Sequence, residues 1–180
     1  MILFIKTVWL LLPAGLANMA PVFAARIFPH WNTPIDFGET CNGKQIFGAH
    51  KTYRGLMCGA LMGCLVFILQ RLLFQSFDFF KSLSFFNYED FNLFFGARMG
   101  LAALLGDLFK SFFKRQIGIA PGQPWVPFDQ LDWIIGALLS ISLVIPLAPE
   151  VVVSCLFIGL VLHLVVRYIG YFLSLNSTPI

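Results

Sequence analysis

The sequence predicts an all-α membrane protein, a single domain over residues 1–180 built as a bundle of five transmembrane helices, N-terminus outside and C-terminus cytoplasmic. Three observations carry this. Of 180 residues, 58% are hydrophobic and only 12% charged, and the mean hydropathy is +0.82, well away from the composition of a soluble domain. Five mainly apolar stretches, about 2–24, 54–75, 92–109, 131–148 and 151–174, each approach the roughly 20 residues that cross a bilayer core. The stretches are continuously apolar rather than alternating, so helices and not barrel strands are expected to satisfy the backbone in lipid.

The first stretch is longer than the apolar core of a signal peptide, has no A-x-A cleavage pattern and contains Pro13 and Asn18, so it reads as a packed helix. The second carries Gly55, Gly59 and Gly63 at four-residue spacing, and the third Gly96 and Gly100; small residues at this interval let helices approach closely. Arg98 interrupts the third and has no partner evident in the sequence. Between the second and third lies Ser76 to Phe91, too polar to span and too rich in Phe for water, which suggests an anchoring helix at the interface. The fourth stretch follows a turn-rich hinge with Gly118, Pro121, Gly122, Pro124 and Pro127. The fifth holds His163 and Arg167, the latter near enough to an end to snorkel.

Basic residues set the orientation. Arg26, Lys44, Lys51 and Arg54 gather around the 25–53 loop, and Lys110, Lys114 and Arg115 follow the third span; both loops are therefore expected in the cytoplasm. Asn176-Ser177-Thr178 has the form of a glycosylation acceptor, but on a tail expected inside. With 12 Lys+Arg against 9 Asp+Glu the formal charge is +3, too small and dispersed for a nucleic-acid partner. Cys41, Cys58, Cys64 and Cys155 show neither a CxxC pair nor zinc spacing, which argues against a disulfide framework or a zinc site.

Chemistry concentrates in Gly106 to Gly136. If the third helix continues past Asp107, then Ser111, Lys114 and Arg115 follow on the same face, four, seven and eight residues on. Asp129 and Asp132, three apart where the fourth helix begins, share another face. Three carboxylates at one rim make an oxygen-only set suited to a hard cation such as Mg²⁺, and the cations beside them suit phosphates. Single residues here also have structural uses, as helix caps and topology determinants. A carboxylate at the depth of Asp107, however, costs a few kcal/mol unless paired or metal-bound. The 25–53 loop adds Lys51, Thr52 and Arg54 after Gly43 and Gly48; its spacing departs from a Walker A loop and no strand precedes it, which leaves a glycine-rich segment bringing phosphate donors to the surface.

Asp107-x3-Ser111-x2-Lys114-Arg115, then Gly118-Ile119, Pro127 and Asp129-Gln130-x-Asp132, resembles the signature of the CDP-archaeol synthase family, itself related to the phosphatidate cytidylyltransferases. The resemblance extends to Ala17-Asn18-Met19-Ala20-Pro21, Pro34-x-Asp36-x-Gly38 and Gly48-x2-Lys51-Thr52-x-Arg54-Gly55, most of the chain. It implies transfer of CMP from CTP to an isoprenoid-ether or acyl glycerolipid phosphate with release of pyrophosphate, Mg²⁺ as cofactor, and an active site on the cytoplasmic side of a prokaryotic-type cell membrane. By motif, Asp107, Asp129 and Asp132 would hold metal and, with Lys114 and Arg115, act in catalysis; Asn18, Lys51, Thr52, Arg54 and Ser111 would bind substrate. The K-D and H-G-G elements of the larger phosphatidate cytidylyltransferases are missing, so the chain looks like the short branch.

Two alternatives differ in kind. CDP-alcohol phosphatidyltransferases need a D-G-x2-A-R…G-x3-D-x3-D pattern, which Gly96-Ala97-Arg98 does not begin. A transporter or scaffold would be expected to scatter its ionisable residues or line the midplane with them, whereas here the carboxylates collect at one rim.

Overall fold

A computed structural model describes residues 2–121 and 123–173; the glycosylation-type tripeptide and Gly122 lie outside them. Six helices are described: α1 (Ile2–Ile27), α2 (Tyr53–Ser76), the short α3 (Asp78–Leu83), α4 (Phe94–Gln116), α5 (Phe128–Ser142) and α6 (Pro149–Phe172). A two-residue-per-strand hairpin, β1 (Thr40–Cys41) against β2 (Lys44–Gln45), sits in the loop after α1. Among these helices α1, α2 and α6 are long and apolar enough to cross a membrane. The other two expected spans have different bounds: α4 runs on to Gln116, and α5 covers 15 residues, starting at Phe128 and stopping at Ser142 rather than near 148. The run 143–148 is apolar, but the backbone turns at 143–145, Pro146 behind it has no N–H to continue a helix, and Pro149 opens the next.

Close approach at glycines packs the bundle. A Cβ at Gly63 would strike the Gly96 carbonyl of α4, and one at Gly106 would strike the Asp132 carbonyl of α5. The second contact matters most for the site, because it lies beside Asp107 on one helix and at Asp132 on the other. Pro13 lies within α1 and, having no N–H, leaves the Trp9 carbonyl without its helical donor. Gln70 of α2 supplies the missing donor, its Nε2 lying 2.6 Å from the Trp9 oxygen. Arg98 also finds a partner: Nε donates to Ser140 Oγ at 3.1 Å and Nη2 to the Ser140 carbonyl at 2.5 Å, tying α4 to α5.

The segment from Ser76 to Phe91 does not form one interfacial helix. It folds into α3 and a 3₁₀ turn at Tyr88–Asp90, and most of its rings point inward. Tyr88 is fully buried, its ring 5.1 Å from Phe67, 5.5 Å from Phe74 and 4.7 Å from Phe86, while Phe80 packs 5.0 Å from Trp9. Only part of the expectation survives, since Phe77 and Phe79 stay exposed. This aromatic cap, with the Lys81–Asp78 pair on its surface, closes one end of the bundle; Asp107, Asp129 and Asp132 lie at the other.

Candidate active site

Local rules place each group at that end. Helix α4 ends at Gln116, two residues before Gly118, whose φ of 85° is in the left-handed region. There the Ile119 amide donates to the Lys114 carbonyl at 2.9 Å and the Gly118 amide to Arg115 at 3.1 Å, the paired bonds of a glycine C-terminal motif. Lys114 and Arg115 therefore occupy the last turn, where cations favour the helix dipole. Asp129 lies in the first turn of α5, where a carboxylate is favoured, and it accepts the Trp125 amide at 2.6 Å.

The long loop after α1 is built on Asp36. Its carboxylate accepts the amides of Gly38 at 3.0 Å, Phe47 at 2.9 Å and Gly48 at 3.3 Å. Burial pushes the Asp36 carboxyl up, but these backbone donors together outweigh it and hold the group below the usual carboxylate range. The loop then returns alongside itself, with the Ile35 amide on the Lys51 carbonyl at 2.9 Å and the Tyr53 amide on Thr33 at 3.2 Å. That pairing delivers Lys51 to α4, where its ammonium pairs with Asp107 Oδ2.

Between α4 and α5 the carboxylates converge on a residue the motif reading omits. Lys110 Nζ lies 3.0 Å from Asp107 Oδ1, 2.9 Å from Asp129 Oδ1 and 2.8 Å from Asp132 Oδ2. Lys114 Nζ holds both oxygens of Asp129, at 3.0 and 3.1 Å, and the Gln123 carbonyl at 2.5 Å. The spacing 107, 110, 114 is an i, i+3, i+7 face, so periodicity carried a signal for Lys110; Gln123 contributes only a backbone oxygen, which no side-chain pattern marks.

These groups line a polar cavity of about 260 Å³ together with Asn18, His163 and Arg167. A larger cavity of about 720 Å³, lined by Asn18, His50, Lys51, Thr52, Arg54 and Asp107, adjoins it. So does an apolar cleft of about 390 Å³ between α1 and α6, which includes Asn18, Met19, Val22, His163, Val166 and Arg167. Asn18 lines all three, and His163 with Arg167 joins the polar cavity to the cleft.

Of the ten residues singled out by motif, eight line the polar or the loop cavity. Two of those eight also have structural duties. Thr52 caps α2, its hydroxyl accepting the Gly55 amide at 3.3 Å, and Arg54 donates from Nη1 to the Phe28 carbonyl at 2.6 Å, just past the end of α1. The remaining two lie outside both linings. The Ser111 hydroxyl donates to the Asp107 carbonyl at 2.8 Å, and Arg115 is buried, with Nε and Nη1 lacking a hydrogen-bond partner among the described residues.

A hard cation would take oxygen ligands, and the donor set around Lys110 Nζ is three carboxylate oxygens and nothing softer. In that respect Asp107, Asp129 and Asp132 fit Mg²⁺. Among the described residues no group of three or more His, Cys, Asp or Glu is set as metal ligands; the carboxylates here share an ammonium instead.

The family described as CarS-like, CDP-archaeol synthase, matches this chain over residues 1–180. The CDP-archaeol synthase of Archaeoglobus fulgidus is 36% identical over 184 residues, covering 98% of each chain. That of Methanocaldococcus jannaschii is 35% identical, covering 97% of this chain and 96% of the relative. A solved structure described as "Structural insight into an intramembrane enzyme for archaeal membrane lipids biosynthesis" superposes with a TM-score of 0.71 at 31% identity, covering 89% of this chain and 91% of that one.

Proposed function

Because this chain belongs to the CDP-archaeol synthase family, and with it is a membrane-embedded CTP-dependent lipid-phosphate cytidylyltransferase, we propose that the carboxylate and lysine cluster between α4 and α5 is its reaction centre. CMP passes there from CTP to a glycerolipid phosphate, isoprenoid-ether or acyl, giving a CDP-activated lipid and pyrophosphate. The observation that supports this reading is the position of the cluster. Its cavity shares lining residues both with a cavity lined by polar loop residues and with an apolar cleft, which suits one water-soluble anion meeting one amphipathic anion.

The phosphate of the lipid attacks the α-phosphorus of CTP, a P–O bond forms to the lipid oxygen, and the bond to the pyrophosphate oxygen breaks in line. A lipid phosphate is already ionised at neutral pH, so no general base is needed, and positioning with electrostatics does the work. Lys51, Thr52 and Arg54 face the cavity that takes the triphosphate. Lys114 faces the charge that builds on the leaving group, and Arg167 with His163 stands where the lipid headgroup leaves the apolar cleft. Asp107, Asp129 and Asp132 would hold Mg²⁺, which supplies Lewis-acid neutralisation of the phosphates when bound. Ser111, whose hydroxyl bonds back to the Asp107 carbonyl, and Arg115 lie outside the linings of both cavities, and no substrate contact is assigned to them.

For the membrane we propose five crossings, by α1, α2, α4, α5 and α6, with the reaction centre at the cytoplasmic rim. The end of the bundle that holds the cluster also holds Arg26, Lys44, Lys51, Arg54, Lys114 and Arg115, the asymmetry expected inside. At 15 residues α5 is about 22 Å long, and the apolar run 143–148 extends its reach.

The direct test is transfer of labelled CMP from CTP by the purified protein, with digeranylgeranylglyceryl phosphate and diacyl phosphatidate offered in parallel, with Mg²⁺ or with EDTA. Metal-dependent formation of CDP-lipid is the expected result, and the preferred acceptor settles ether against ester. No product from either acceptor in folded protein would refute the assignment.

A further inference from the structure

We propose that Lys110 is a tethered counter-cation that occupies the point shared by Asp107, Asp129 and Asp132 until a metal-bound nucleotide displaces it. The proposal rests on the reading of these three carboxylates as a metal set. Lys110 reaches one oxygen of each carboxylate at 2.8 to 3.0 Å, and its side chain is only 14% exposed. Lys51 takes the second oxygen of Asp107, and Lys114 holds Asp129. Three carboxylates thus face three ammoniums, and the charges of these six groups balance before any metal arrives. Burying charge is tolerable only when it is balanced in this way.

A divalent ion entering alone would bring two positive charges that no carboxylate of the set is left to compensate. A triphosphate arriving with it carries the opposite charge. The flexible four-carbon stem of Lys110 allows its ammonium to withdraw from the carboxylates and meet phosphate oxygens. Metal and nucleotide therefore assist each other's binding, and metal alone binds weakly; such coupling is reciprocal. Lys110 acts as a positioning residue on the carboxylates rather than as a metal ligand.

The experiment is Mn²⁺ binding by the full chain in detergent without nucleotide, followed by electron paramagnetic resonance, for wild type and Lys110→Met. The expected result is tighter Mn²⁺ binding by the variant, by at least about tenfold, together with a lower melting temperature of the metal-free variant that Mn²⁺ raises more than it raises that of wild type. Should Lys110→Met not fold, Asp132→Asn is compared with Asp132→Asn/Lys110→Met, in which two carboxylates face two ammoniums, and the double variant is expected to bind Mn²⁺ more tightly. Equal or weaker binding after loss of Lys110, in either pair, overturns the proposal. Adding Asp129→Asn distinguishes the two levels: if it weakens Mn²⁺ binding the carboxylates remain the metal set, and if it leaves binding unchanged the underlying reading fails as well.

Discussion

Asp36 builds the loop that brings Lys51 to α4, and it does so through one carboxylate and three amides. Because its folded-state pKa lies below the ordinary value, its contribution is complete above the unfolded value of about 3.9 and is lost as pH falls through the lowered one. The 28–52 loop is therefore expected to resist proteolysis from neutral pH down to about pH 4 and to open below it, while Asp36→Ala opens it at neutral pH; proteolysis with an acid-active and a neutral protease reads both. Spacing alone placed Asp36 in a motif without revealing this duty, because two of its three partners are backbone amides eleven and twelve residues away. Asp107, Lys114, Asp129 and Asp132 were legible, since their periodicity puts them on facing helix surfaces. The Ser140 partner of Arg98 was not, being 42 residues distant in sequence.

Helices depend on contacts that composition does not announce. Gly106 lets α4 and α5 approach until Asp107 and Asp132 share one ammonium. Gly106→Val is expected to lower stability by about 1 to 3 kcal/mol and to abolish CMP transfer; unfolding of the detergent-solubilised variant and its turnover measure the two effects. Gln70→Leu removes the side-chain donor to the Trp9 carbonyl, a cost of about 1 to 3 kcal/mol. Its site lies at the far end, so the melting temperature should fall while the KM for CTP stays unchanged. The glycine spacing in α2 and α4 was readable as helix packing, but which helix each glycine meets depends on tertiary topology. The end of α5 was misjudged because an apolar run continues past Ser142 whether or not the backbone is helical, and hydropathy does not register the turn before Pro149.

At the scale of the whole molecule, the bundle holds an aromatic cap at one end and the carboxylate and lysine cluster at the other, where a loop cavity and an apolar cleft both adjoin it. The division between them is testable. Val166→Trp, which fills the apolar cleft between α1 and α6, is expected to raise the KM for the lipid acceptor about tenfold and to change that for CTP by no more than about twofold; initial rates with each substrate varied in turn give both constants. The all-helical membrane class was legible from composition and continuously apolar stretches, and the family from motifs spread along the chain. The cavities were not, because Asn18, His163 and Arg167 reach the cluster only through the packing of α1 and α6 around it. The most direct measurement of the reaction centre is the turnover of Asp129→Asn, with its detergent-extracted size and CTP binding checked alongside. A loss of at least about 100-fold in kcat in a folded, CTP-binding variant is expected; near-normal turnover in that protein would contradict the assignment of the cluster as the site of CMP transfer.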